Sequence, residues 1–127
     1  MNRNLLIVTM TLPAIASAAV AASLPLRAGT YVSTDQDCSN PAFAGTFDYN
    51  AGAFSYPHES GCTDSVVRRS AAGHYTLRET CRALGDGTPA KPTTQTIRVH
   101  LLSSERVEMT FAGQRPRTYR LCTTPRP

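Results

Sequence analysis

A chain of 127 residues with four cysteines suffices for one small domain and is too short for a multidomain assembly. Thirteen basic and nine acidic side chains give a net charge of +4 and a pI near 9.1, which directs attention to anionic partners. There is no glycine-rich phosphate loop, G-x-S-x-G elbow or S-x-x-K pair, so nucleotide chemistry and the common serine hydrolases find no support.

The first 22 residues read as a secretory signal. Arg3 supplies the positive start, and the apolar run LLIVTMTLPAIASAAVAA is interrupted at Pro13 and ends in small residues. Ala16-Ser17-Ala18, Ala19-Val20-Ala21 and Val20-Ala21-Ala22 each fit a cleavage site, which puts the mature start between Ala19 and Ser23. A transmembrane anchor is the rival, because about 18 apolar residues nearly span a bilayer. The Ala and Thr content, the proline and the cleavage pattern argue for removal. No cysteine lies near the cut, so lipid attachment there is not expected. The expectation is a single periplasmic or secreted domain over residues 23–127, with no membrane span after cleavage. Loss of Arg3 leaves twelve basic and nine acidic residues, a net of +3; eleven of the twelve are arginine and the other is Lys91.

The mature chain reads as strands with glycine and proline punctuation. A lead-in over 24–29 precedes an edge strand at Thr30–Ser33, and a polar loop over 34–41 carries Cys38. Two hairpin limbs follow, at about 42–49 and 53–56, joined through Asn50-Ala51-Gly52, residues that tolerate positive φ. Phe43, Phe47 and Tyr49 share one parity on the first limb, as Phe54 and Tyr56 do on the second. A turn over 57–61 leads to Cys62 and a strand over 65–70; Ala72-Gly73 then reverses the chain into His74–Cys81, with Tyr75, Leu77 and Cys81 on one face. Residues 83–94, with two glycines and two prolines, read as a long loop. Ile97, Val99 and Leu101 mark a further strand, and Val107, Met109 and Phe111 another. Gly113–Pro116 turns the chain into a last strand with Tyr119 and Leu121 inward, and the tail from about 123 is expected to fray. Seven or eight short strands without an amphipathic helix predict an all-β antiparallel barrel or sandwich.

Four cysteines in an exported chain predict two disulfides, with three possible connectivities. Closing the hairpin brings Cys38 to Cys62, which leaves Cys81 for Cys122. The aromatic stripe of the hairpin, five of the nine aromatics, reads first as core and second as a surface for stacking on sugars or a partner protein.

Ser60-Gly61-Cys62 resembles the catalytic cysteine motif of the L,D-transpeptidases that crosslink peptidoglycan, with His58 or Arg68 as the group that would lower the thiol pKa. The upstream histidine of that family is missing, and Asp64 stands where it carries a basic residue. An even cysteine count in an oxidising compartment favours a structural bridge over a nucleophile. His58-Glu59 opens like the zinc-protease motif H-E-x-x-H, but Cys62 occupies the second histidine position. His58, His74 and His100 therefore read as surface histidines, and neither metal nor cofactor is expected. Asp35, Asp37 and Asp48 could pair for acid–base work, but Asp35 and Asp37 sit where acidic residues cap turns, so no catalytic residue is assigned.

An exported, disulfide-bonded β domain of this size is similar in outline to small periplasmic proteins of Gram-negative bacteria, among them the inhibitors of C-type lysozyme. Those inhibitors carry a Ser-Gly-x-x-Tyr loop, to which Ala112-Gly113-Gln114-Arg115-Pro116-Arg117-Thr118-Tyr119 is the nearest stretch here; alanine replaces the serine and the tyrosine comes three residues late. The similarity is one of architecture across the mature chain; the basic charge and the exported address lead to the expectation of a non-catalytic binding or inhibitory module recognising an acidic partner protein or an anionic envelope polymer rather than nucleic acid. The expected binding residues are Arg115, Arg117 and Arg120, together with Lys91 and Asp86 of the 83–94 segment. A cell-wall-modifying enzyme using Cys62, or a purely structural envelope protein, is the alternative.

Overall fold

The computed structural model describes residues 12–14 and 24–123. The signal and cleavage site expected over 1–22 fall almost wholly outside the described residues, as does the tail beyond 123. Among the described residues no helix is long and apolar enough to cross a membrane.

Among the described residues, eight strands form one antiparallel sheet: β1 (Gly29–Ser33), β2 (Thr46–Asn50), β3 (Ala53–Ser55), β4 (Glu59–Ala71), β5 (His74–Leu84), β6 (Pro89–Ser103), β7 (Arg106–Phe111) and β8 (Arg117–Leu121). Their order is β3-β2-β1-β8-β7-β6-β5-β4, so every neighbour but one is next in sequence, and β1 joins β8. That is an up-and-down meander curled into a nearly closed barrel, with its seam between β3 and β4. At the seam Tyr56 N–H donates to Glu59 O (2.7 Å), and the Phe54 N–H reaches a side-chain oxygen of Asp64 (3.4 Å) where a ladder acceptor would otherwise stand. The expected all-β architecture is therefore a barrel.

Alternation produces the core. Tyr31, Phe47, Tyr49, Phe54, Leu77, Ile97, Val99, Val107 and Met109 turn inward and are buried. Tyr31 stacks on Phe47 (centroids 5.0 Å apart), and Tyr119 meets the same ring edge-on at 4.9 Å. The β2–β3 reversal uses positive φ at Ala51 (50°) and Gly52 (81°), the two-residue turn that matches strand twist.

Several expectations need correction. The disulfides are Cys38–Cys122 and Cys62–Cys81. Cys62 lies within β4, which pairs with β5, so Cys81 is its direct cross-strand partner. Cys38 precedes β2 by a 3₁₀ turn at Phe43–Gly45, and its loop leaves β1 beside the start of β8, where Thr34 N–H donates to Thr118 O, while Cys38 is bonded to Cys122 just past the end of β8. The same turn breaks the strand parity at Phe43, which is 75% exposed and not part of the aromatic core. β1 is internal, between β2 and β8, rather than an edge strand.

The long loop expected over 83–94 is a hairpin. β5 continues to Leu84 and β6 begins at Pro89, joined by a tight turn in which Asp86 Oδ1 accepts the Thr88 N–H (2.9 Å) and Leu84 N–H donates to Thr88 O. Pro89 and Pro92 lie in an exposed extension of β6, where extended backbone suits the fixed φ of proline. At the root of this hairpin Gly85 is pressed against the Pro57 carbonyl; a Cβ there would lie 1.8 Å from that oxygen.

Candidate functional site at the barrel mouth

The aromatic interior does not fill the barrel to its end. Around the β7–β8 turn a cavity of about 510 Å³ opens between that turn, the Pro57-His58 segment and the start of β2. Phe47, Tyr56, Phe111 and Tyr119 form its apolar walls, and Arg115 and Arg117 stand at its rim. Pockets of roughly 300–1,000 Å³ are of the size that takes small ligands, and the exposed lining of this one is more polar than apolar. Among the described residues the ion pairs are Arg27–Glu105 and His58–Glu59, so neither rim arginine has a carboxylate at ion-pair distance. Burial raises the Tyr119 hydroxyl above its ordinary value, and Arg117 beside it works the other way.

The five expected binding residues separate. Arg115 and Arg117 line the cavity. Arg120 does not: its guanidinium donates to Thr34 O (3.3 Å) and Gln36 O (2.8 Å), tying down the Cys38 loop. Lys91 and Asp86 lie on the β5–β6 hairpin outside the lining, with Asp86 engaged by the backbone of its own turn. Asp35 and Asp37 are occupied in the same local way, by the Ser33 hydroxyl and the Ser39 N–H, which hold both carboxyls below the ordinary range. Asp48 accepts from the Thr30 hydroxyl.

Behind the aromatic wall lies a polar cluster that the sequence reading passed over. Glu79 sits on the inward parity of β5 between Leu77 and Cys81, with no solvent exposure. Its carboxyl accepts from Tyr56 Oη (3.0 Å) and Gln95 Nε2 (2.8 Å), and both donors belong to residues that line the cavity. Across the β4–β5 ladder it faces Asp64. Burial, then the Asp64 charge, pushes Glu79 up to about 8, and burial raises Asp64 as well. Two buried carboxyls that face each other are both pushed toward the neutral form, and Asp64 Oδ1 is buried with no hydrogen-bond partner among the described residues. Strict alternation could have revealed both acids, because each falls on the same face as a core residue two positions away.

The sulfurs of Cys62 and Cys81 and a carboxylate oxygen of Glu79 lie within 4.8 Å of one another, a spacing that would suit a metal ion. The two sulfurs are bonded to each other and cannot act as thiolate ligands. The same bond, in a buried position, withdraws Cys62 from any role as a nucleophile while it is closed.

Comparison with known proteins found no matching family model, no curated relative and no solved structure similar to this chain.

Proposed function

We propose that this is an exported, non-catalytic binding or inhibitory module whose barrel mouth receives an acidic group of a partner protein or envelope component. One observation carries the reading: a cavity of about 510 Å³ combines four aromatic walls with two arginines that, among the described residues, are in no ion pair, although Arg117 lies near enough to Asp35 to lower that carboxyl. Guanidinium groups recognise carboxylate and phosphate bidentately, and the aromatic walls suit an apolar or planar body behind the acid. Two disulfides accord with export to an oxidising compartment.

The test is an NMR titration of the mature protein at low salt with octanoate, a Glu-Glu-Phe peptide and poly-glutamate. Shifts centred on Phe111, Arg117 and Tyr119 that weaken with salt and vanish in an Arg115→Ala/Arg117→Ala variant are expected. No response to any of the three, or a response that survives the double substitution, would remove the reading.

A further inference from the structure

The outer face of the barrel carries a second concavity, of about 300 Å³, on the strands β5, β6 and β7. Strand register places His74 opposite His100, and His100 opposite Glu108, so three donor side chains form one row across three adjacent strands. All three line this concavity. The two imidazoles lie side by side with centroids 3.8 Å apart and planes 16° from parallel. His74 is exposed and His100 half-buried, so the rings are open to solvent.

From this juxtaposition we propose that His74, His100 and Glu108 form a surface site for a borderline divalent cation of the zinc, copper or nickel type. Two imidazoles and a carboxylate are a donor set that such ions take, with water completing the coordination shell. Stacked, nearly parallel rings hold their lone pairs in two parallel planes rather than aimed at a common point between them, so ligation turns the imidazoles about their Cβ–Cγ bonds until the nitrogens converge. The exposure of His74 permits that turn. Arg98 lies two residues before His100 and lines the same concavity, a cation that opposes a second positive charge. Glu108 is the compensating charge, and among the described residues it is in no ion pair that would hold it away. The site is remote in sequence, since 26 positions separate the two histidines, and only the β5–β6 register unites them. Its concavity shares Pro116 with the lining of the mouth cavity, but its three donor residues do not line the mouth, so the site stands whether or not the mouth binds an acid.

The experiment uses chelator-treated, untagged mature protein, titrated with Zn²⁺ by calorimetry and with Co²⁺ by NMR. One Zn²⁺ per chain is expected, with binding lost in His74→Ala and in His100→Ala, weakened about tenfold in Glu108→Gln, and unchanged in His58→Ala. Co²⁺ should shift and broaden the ring signals of His74 and His100 in the unaltered protein while sparing His58, a readout that needs no variant to fold. Absence of Zn²⁺ binding at 100 µM metal, binding that persists in His100→Ala, or Co²⁺ effects centred on His58 would each overturn the proposal.

Discussion

Asp64 and Glu79 oppose each other directly on β4 and β5, which places two carboxyl groups side by side against the inner wall of the barrel, next to its seam. The pair links the seam to the mouth. Asp64 receives the Phe54 N–H of β3, and Glu79 holds Tyr56 and Gln95, two of the cavity's own residues. A charge change in this pair is therefore felt both where the barrel closes and where it opens.

Stability should fall as pH rises from about 4.5 to about 8. In the unfolded chain Glu79 titrates near its ordinary value of 4.5, whereas in the fold burial and Asp64 raise it to about 8. Between those values the folded state binds more protons than the unfolded one, so the unfolding free energy declines with pH and levels off above the upper value. The group's contribution is on the order of a few kcal/mol. Glu79→Gln keeps the shape of the neutral acid and removes its titration. Melting curves at pH 5, 7 and 9 should converge for the variant and spread for the unaltered protein; parallel pH trends in the two proteins would show that Glu79 does not titrate in this window.

The disulfides should contribute unequally. Cys38 and Cys122 are 84 positions apart, Cys62 and Cys81 only 19. In the chain-entropy account, removing the first pair costs about 4.5 kcal/mol and the second about 3 kcal/mol. Double alanine variants compared by denaturant unfolding check the order. Peptide mapping without reductant checks the pairing, with linked Cys38 and Cys122 fragments expected and no thiol at Cys62 open to alkylation.

Much of the strand pattern was legible because alternation is local: the β2–β3 hairpin, the inward faces of β6 and β7 and the 113–116 turn can all be read from neighbouring residues. Cysteine pairing was not, because it depends on which strands lie side by side. The aromatic hairpin made Cys38 and Cys62 look like two ends of one element, whereas β4 turns away to pair with β5. Pro89 and Pro92 made the β5–β6 extension look like a loop, since proline marks breaks more often than it marks exposed strand ends. At the site, Arg115 and Arg117 were visible as charge beside a turn, but the acids inside were hidden by their type. Glu and Asp on an inward parity contradict the expectation that charge lies outside, and burial answers it by raising both acids toward their neutral forms.

Gly85→Ala should be disruptive out of proportion to its size. The added methyl would stand 1.8 Å from Pro57 O and 3.1 Å from His58 N, so either the hairpin root or the Pro57-His58 segment must move. Overpacking of this kind costs about 1–3 kcal/mol. Because Pro57 and His58 line the cavity, the variant should also perturb amide shifts around the mouth. Gly87→Ala is the control. Nothing lies within 4 Å of its added methyl, so the only expected cost is that of its positive φ of 88°, with the mouth left alone. Equal shifts at the mouth in both variants would contradict the proposed contact.

The three arginines of the β7–β8 region should fall into two classes on substitution. Arg120→Ala removes two hydrogen bonds to the carbonyls of Thr34 and Gln36, strands those acceptors at the base of the Cys38 loop, and should lower stability by about 1–2 kcal/mol. The Cys38–Cys122 bridge still anchors that loop, so the fold survives and the mouth keeps its charge. Arg115→Ala and Arg117→Ala leave no internal ion pair broken and should change melting temperature little, but each removes half of the rim charge that the cavity presents. Ligand affinity at the mouth should drop in these two variants, and its salt dependence should flatten, while Arg120→Ala binds as before. Measured together, thermal unfolding and the titration of the mouth separate an arginine that holds the protein from arginines that hold something else. Loss of affinity in Arg120→Ala without loss of stability would reverse the assignment and place Arg120 in the recognition surface.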